Sequence, residues 1–123
     1  MYNEIVARHF MDPMNVGELA SPDETVRIGN AVCGDTIIMH LALEEGRITD
    51  VKYRAYGCAV SIATASIASE YFTGKELKEL RGLADAELAA LLGDLEPNQK
   101  HCVDIMLELR ERACASVQGV SGR

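Results

Sequence analysis

The chain has 123 residues, 48% of them hydrophobic and 25% charged, with a formal net charge of −7. These are the proportions of a globular protein that buries about two-thirds of its unfolded surface without disulfides, read as one domain over residues 1–123. The acidity argues against nucleic acid and anionic membranes as partners, since both reward clustered Lys and Arg, and no apolar run approaches the roughly 20 residues that span a bilayer.

The N-terminal Met1-Tyr2-Asn3-Glu4-Ile5 has neither the basic lead nor the apolar core of a signal peptide, so a cytoplasmic location with reduced thiols is expected. Residues Tyr2 to Phe10 predict a short helix with Ile5, Val6 and Phe10 on its apolar face and His9 capping carbonyls at its end. Pro13, Asn15 and Gly17 break the pattern, and Ser21-Pro22-Asp23 is a further turn signal. Glu24 to Asn30 reads as a strand. Thr36 to Glu44 is the clearest strand, with Met39, Leu41 and Leu43 alternating against His40, Ala42 and Glu44. That alternation puts His40 on the polar, solvated side. After a turn at Glu45-Gly46-Arg47, Ile48 to Tyr56 gives a third strand, and short connections imply an antiparallel meander.

The period changes after Gly57-Cys58. Ala59 to Phe72 is small, apolar and free of breakers, a helix able to approach a neighbour closely, with Gly74 as its stop. Short helices follow at Lys75 to Arg81 and at Asp85 to Leu92, the latter with Asp85 as N-cap and Gly93 as stop. A last long helix runs from Gln99 to near Val117, with Asn98 as N-cap and Cys102, Ile105, Met106, Leu109 and Ala113 on one face. Strands first and helices after predict an α+β fold: a small three-stranded antiparallel sheet with helices packed on one face.

Three of the four cysteines fall at element boundaries. Cys33 and Asp35 flank Gly34 at a bend before a strand, Cys58 precedes a helix, and Cys102 lies in the first turn of the last helix beside His101. A helix N-terminus favours a thiolate, the form that binds soft metals and attacks sulfur donors. Cys33, Cys58 and Cys102 stand 25 and 44 residues apart, unlike the paired Cys-x-x-Cys spacing of zinc ribbons and ferredoxins. Single ligands on distant loops, mixing thiolate, carboxylate and imidazole, suit a labile iron–sulfur centre or a zinc ion at one end of the sheet. His101 fits three roles: ligand, proton acceptor or charge partner. Cys114, more than three helical turns beyond Cys102, is expected to pack in the core.

The segments His9-Phe10-Met11-Asp12-Pro13-Met14-Asn15-Val16-Gly17, Ala31-Val32-Cys33-Gly34-Asp35, Tyr56-Gly57-Cys58-Ala59 and Lys100-His101-Cys102 together resemble the motifs of the iron–sulfur cluster assembly scaffolds, the IscU type and the N-terminal domain of NifU. The resemblance runs along nearly the whole chain. It implies a scaffold or carrier rather than a turnover enzyme. Cys33, Cys58 and Cys102 would bind a nascent [2Fe–2S] cluster, with Asp35 a ligand or a control on release and His101 an alternative ligand. Iron, or zinc in the same site, is the implied metal. A cysteine desulfurase would supply sulfur, with Cys102 the leading persulfide acceptor. An electron donor such as ferredoxin and apo iron–sulfur proteins as recipients are also implied. A homodimer holding one cluster is compatible, with Tyr2 at the contact. The family's Leu-Pro-Pro-Val-Lys chaperone segment is reduced here to Leu95 and Pro97, which argues against docking of an Hsp70-type chaperone. The alternative within the resemblance is a zinc-bound sulfurtransferase of the SufU branch. Outside it stands a structural zinc module that only binds a partner.

Overall fold

The computed structural model describes residues 2–30 and 35–121, with the backbone alone at residues 30 and 116–121. Cys33 and Gly34 therefore lie outside the described residues. Strands β1 (Glu24–Asn30), β2 (Asp35–Glu44) and β3 (Arg47–Tyr56) form an antiparallel sheet in the order β1-β2-β3. Glu45 and Gly46 both adopt positive φ (51° and 80°), the backbone of a two-residue hairpin whose twist matches its strands.

The period-2 pattern decides which face is covered. Ile37, Met39 and Leu41 of β2, Val51 and Tyr53 of β3, and Val26 and Ile28 of β1 are buried under the helices. These are α1 (Glu4–Met11), α2 (Ala59–Phe72), α3 (Leu77–Gly82), α4 (Asp85–Ala90) and α5 (His101–Ser121). The core joins that sheet face to Ala63, Ala68 and Phe72 of α2 and to Met106 and Leu109 of α5. Nearly every position of α2 from Val60 to Ser69 is buried. Its Ala and Ser side chains let neighbours crowd it from all sides, so it has no polar face. No helix among the described residues is long and apolar enough to cross a membrane.

Several local expectations are corrected. His9 does not cap carbonyls. It is buried, its Nδ1 2.8 Å from Ser66 Oγ and its Nε2 3.8 Å from Glu70. Phe10 leaves the apolar face and is 40% exposed, while Val6 and His9 turn inward. The Met14 N–H also donates to Ser66 Oγ (2.8 Å), and Asn15 Nδ2 donates to Ser69 Oγ (3.1 Å). Burial of these serines thus provides the partners that fasten the N-terminal segment across α2. Val16 then makes a parallel bridge to Tyr53, extending the sheet by one rung. His40 is half-buried rather than solvated, because Nδ1 accepts the Leu19 N–H at 3.1 Å as that loop crosses the outer face.

Ala84, not Asp85, stands at the N-cap position of α4, where it makes no side-chain cap bond. Asp85 is its first residue and pairs instead with Arg110 Nη2 of α5 at 2.5 Å. Asn98 sits within a 3-10 turn (Pro97–Gln99), and α5 begins at His101 and runs to Ser121, past the expected end. Cys114 is buried as expected, its Sγ 3.7 Å from the Leu77 carbonyl.

Candidate metal centre

The start of β2, the end of β3 and the first turns of α2 and α5 meet at one end of the sheet. Asp35 is the first residue of β2 and only 2% exposed. A buried carboxylate needs compensating donors, and the described residues supply two. Oδ1 accepts the Cys58 N–H at 3.0 Å and Oδ2 accepts the Ser61 hydroxyl at 2.6 Å. The close approach depends on Gly57, whose φ is +138°. A Cβ there would stand 2.0 Å from Asp35 Oδ1 and 2.9 Å from Asp35 Cα. Glycine alone tolerates both the conformation and the crowding. Gly57 thus lets the start of α2 close onto the start of β2.

Cys58 is the N-cap residue of α2 and is exposed. Cys102 projects inward from the first turn of α5 and has no exposed surface. His101, half-buried, stands between them with Nε2 4.0 Å from Cys58 Sγ and 3.6 Å from Cys102 Sγ. The same nitrogen is 3.4 Å from Asp35 Oδ2. The Cys58 and Cys102 sulfurs and a His101 ring nitrogen all lie within 4.8 Å of one another, a set able to hold a metal ion. Two thiols and an imidazole at that separation fit zinc, or the iron of an iron–sulfur cluster.

The helix start does not make Cys102 a ready thiolate. Burial dominates and pushes its thiol up to about 11, helped by the charges of Cys58 and Asp35, although the Ser61 and Thr64 hydroxyls pull the other way. Desolvation of a fully covered sulfur outweighs the exposed amides of one helical turn.

Ser61 was not singled out in the sequence. It is fully buried, and besides binding Asp35 its hydroxyl lies 3.2 Å from Cys58 Sγ and 3.7 Å from Cys102 Sγ. The available signal was a serine three residues after a cysteine that caps a helix, a spacing that puts both on one side of the first turn.

A family model described as the NifU-like N terminal domain matches residues 1–120. The chain is 35% identical over 113 residues to the iron-sulfur cluster assembly scaffold protein IscU 1 of Archaeoglobus fulgidus, covering 92% of this chain and 74% of that one. It is 34% identical over 105 residues to the iron-sulfur cluster assembly scaffold protein IscU of Escherichia coli strain K12, covering 82% and 81%. Among solved structures, the N-terminal part of a NifU-like protein from Brucella abortus superposes with a TM-score of 0.63 at 21% identity, covering 91% of this chain and 79% of that chain. A putative scaffold protein for the SUF system from Fervidobacterium islandicum also gives 0.63 at 21% identity, covering 89% and 82%. These two similarities establish the fold.

Proposed function

The chain belongs to the NifU-like N-terminal domain family, and on that premise we propose that it is a scaffold on which iron–sulfur clusters are built and from which they are handed on. The observation that carries this is the meeting of Cys58, His101 and Cys102 within 4.8 Å at the sheet end. In this reading Cys33, Cys58 and Cys102 hold a [2Fe–2S] cluster, and Asp35 or His101 completes its coordination. The cluster is cargo, so ligands on separate elements suit it better than a rigid cage.

Sulfur arrives as a persulfide on a cysteine desulfurase. A scaffold thiolate attacks the outer sulfur, the donor S–S bond breaks, the donor cysteine leaves as thiolate, and the scaffold cysteine becomes the persulfide. Two electrons from a ferredoxin-type donor then reduce that sulfur to sulfide. Cys102 is the acceptor in this reading. Its burial means that the partner must open the pocket first, whereas Cys58 faces solvent in the closed state. Recipients are apo iron–sulfur proteins, and the reactions take place in the cytoplasm.

The test is anaerobic reconstitution with iron, cysteine and a cysteine desulfurase, followed by absorption and Mössbauer spectra and by transfer to an apo-ferredoxin. A [2Fe–2S] spectrum that is lost in Cys58→Ser and Cys102→Ser, and that moves to the acceptor, is expected. No cluster on the wild-type chain, or a wild-type yield on both variants, refutes the scaffold. The second reading is a zinc-bound sulfurtransferase, favoured by a donor set that also suits zinc. It predicts persulfide on the protein and tightly held zinc, with no cluster.

A further inference from the structure

The sheet face turned away from the helices gathers positive charge on a chain whose net charge is −7. Arg27 of β1 and Arg54 of β3 are the cross-strand neighbours of Ile38 on its two sides, so their α-carbons stand about 10 Å apart on one rung. On the next rung of that face Lys52 pairs with His40, and the stem of Lys52 passes beside Gly17. Like charges collected on one sheet face oppose folding. A cavity of about 220 Å³ opens among them, lined by Gly17, Glu18, Arg27, Ile38, His40 and Arg54.

The wall of this cavity is rich in donors. The segment from Gly17 to Leu19 crosses the face and is tied to the sheet twice. The Gly17 N–H donates to the Tyr53 carbonyl at 2.9 Å, and the Leu19 N–H donates to His40 Nδ1 at 3.1 Å. The neutral His40 ring therefore carries its proton on Nε2, where it is a donor. Arg54 gives Nε to Glu18 Oε2 at 3.1 Å and retains its terminal N–H groups. Neither the Arg27 guanidinium nor His40 Nε2 has a hydrogen-bond or ion-pair partner among the described residues. Glu18 is the one carboxylate in the lining, and it is committed to Arg54.

We propose that this cavity is a site for a phosphate group, taken as inorganic phosphate or as a small phosphomonoester. Two guanidiniums and a ring N–H reach it from three strands. A tetrahedral oxyanion can accept from all of them, whereas a carboxylate offers two oxygens in one plane. Arg27, Lys52 and Arg54 against Glu18 leave the face with a surplus of positive charge suited to a dianion. The volume lies below the roughly 300 Å³ at which pockets for larger organic ligands begin. The site is on the outer face of the sheet, so it stands independently of the metal centre at the sheet end.

The experiment titrates inorganic phosphate into the isotope-labelled protein at constant ionic strength and follows the amide and His40 ring resonances. Saturating shifts centred on Gly17, Leu19, Ile38, His40 and Arg54 are expected. Arg27→Gln removes charge-assisted hydrogen bonds and should weaken binding about tenfold or more. Glu18→Gln removes the competing carboxylate and should tighten it. Lys78→Gln takes the same charge from an exposed position on α3 and should leave the affinity unchanged. Succinate should bind more weakly than phosphate. Glycerol phosphate distinguishes the two sources: tighter binding than the free ion assigns the site to an ester, weaker binding to inorganic phosphate. Shifts that grow without saturating overturn the proposal, because they report general attraction to a basic face. An equal loss in Lys78→Gln and Arg27→Gln, or succinate bound as tightly as phosphate, does the same. If Arg27→Gln folds poorly, Glu18→Gln decides alone, and an affinity there no higher than that of the wild type refutes the site.

Discussion

Gly57→Ala tests the architecture of the site most directly. The new methyl carbon would stand 2.0 Å from Asp35 Oδ1, 2.8 Å from Cγ and 2.9 Å from the α-carbon, at a φ of +138°. The first two atoms belong to a side chain and can turn away, but doing so breaks the bond from the Cys58 N–H. A hydrogen bond to a charged acceptor contributes about 1.5–3 kcal/mol. The third atom is backbone of β2 and cannot move without distorting the strand start, and the φ itself costs about 1–3 kcal/mol for a residue with a side chain. With partial relaxation the loss of stability should be about 3–5 kcal/mol, near the upper end for a single substitution. Urea unfolding monitored by far-UV circular dichroism measures it. The Asp35→Ala background supplies the internal check, since the clashes with Oδ1 and Cγ disappear there, and only the crowding against the β2 backbone and the φ persist. Gly57→Ala should then cost at least about 1 kcal/mol less, a coupling of the size expected for touching residues. A loss below about 0.5 kcal/mol in the wild-type background, or an equal loss in both, would show that Gly57 and Asp35 do not share this space.

Brief iodoacetamide labelling of the apo-protein followed by peptide mapping should modify Cys58 well before Cys102, because Cys58 is exposed while Cys102 is covered and its thiol is raised to about 11; equal rates would contradict the closed pocket. Stability should decline on acidification in a way that His9→Asn partly removes. Burial, followed by smaller opposing effects of Glu70 (raising) and Arg8 (lowering), holds His9 below 6.5 in the folded chain, so its contribution is complete above 6.5 and is lost as the pH falls through the lower folded value. A wild type and variant with parallel urea midpoints between about pH 7 and 5 would rule this out.

The sheet was the most legible part of the sequence. Alternation such as Met39-His40-Leu41-Ala42 has a period of 2 that few other structures produce, and all three strands stand within a residue of their predicted bounds. The α2 helix was equally plain because Ala59 to Phe72 contains no breaker. Convergence of Asp35, Cys58, His101 and Cys102 was expected from boundary positions, and the described residues bring those four together. The features not legible in the sequence depend on partners distant along the chain. His9 reads as a polar helix end until Ser66, 57 residues away, supplies its hydrogen bond. Asp85 reads as a cap until Arg110 claims it. Ser61 reads as one more small residue in a helix full of them, and only the fold shows that its hydroxyl is shared by a carboxylate and two thiols.

The composition of α2 has a mechanical consequence. Its first turn carries Cys58 and Ser61 at the metal point, and its middle carries Ser66 and Ser69, the anchorage of His9, Met14 and Asn15. Between them lies no glycine or proline at which a helix would bend. The element therefore turns as one shaft. Any rotation that carries Cys58 toward or away from His101 must drag the fastenings of the N-terminal segment through the same angle, about 10–15 Å along the axis. The bonds of His9, Met14 and Asn15 to Ser66 and Ser69 thereby resist any twist of the helix that carries Cys58.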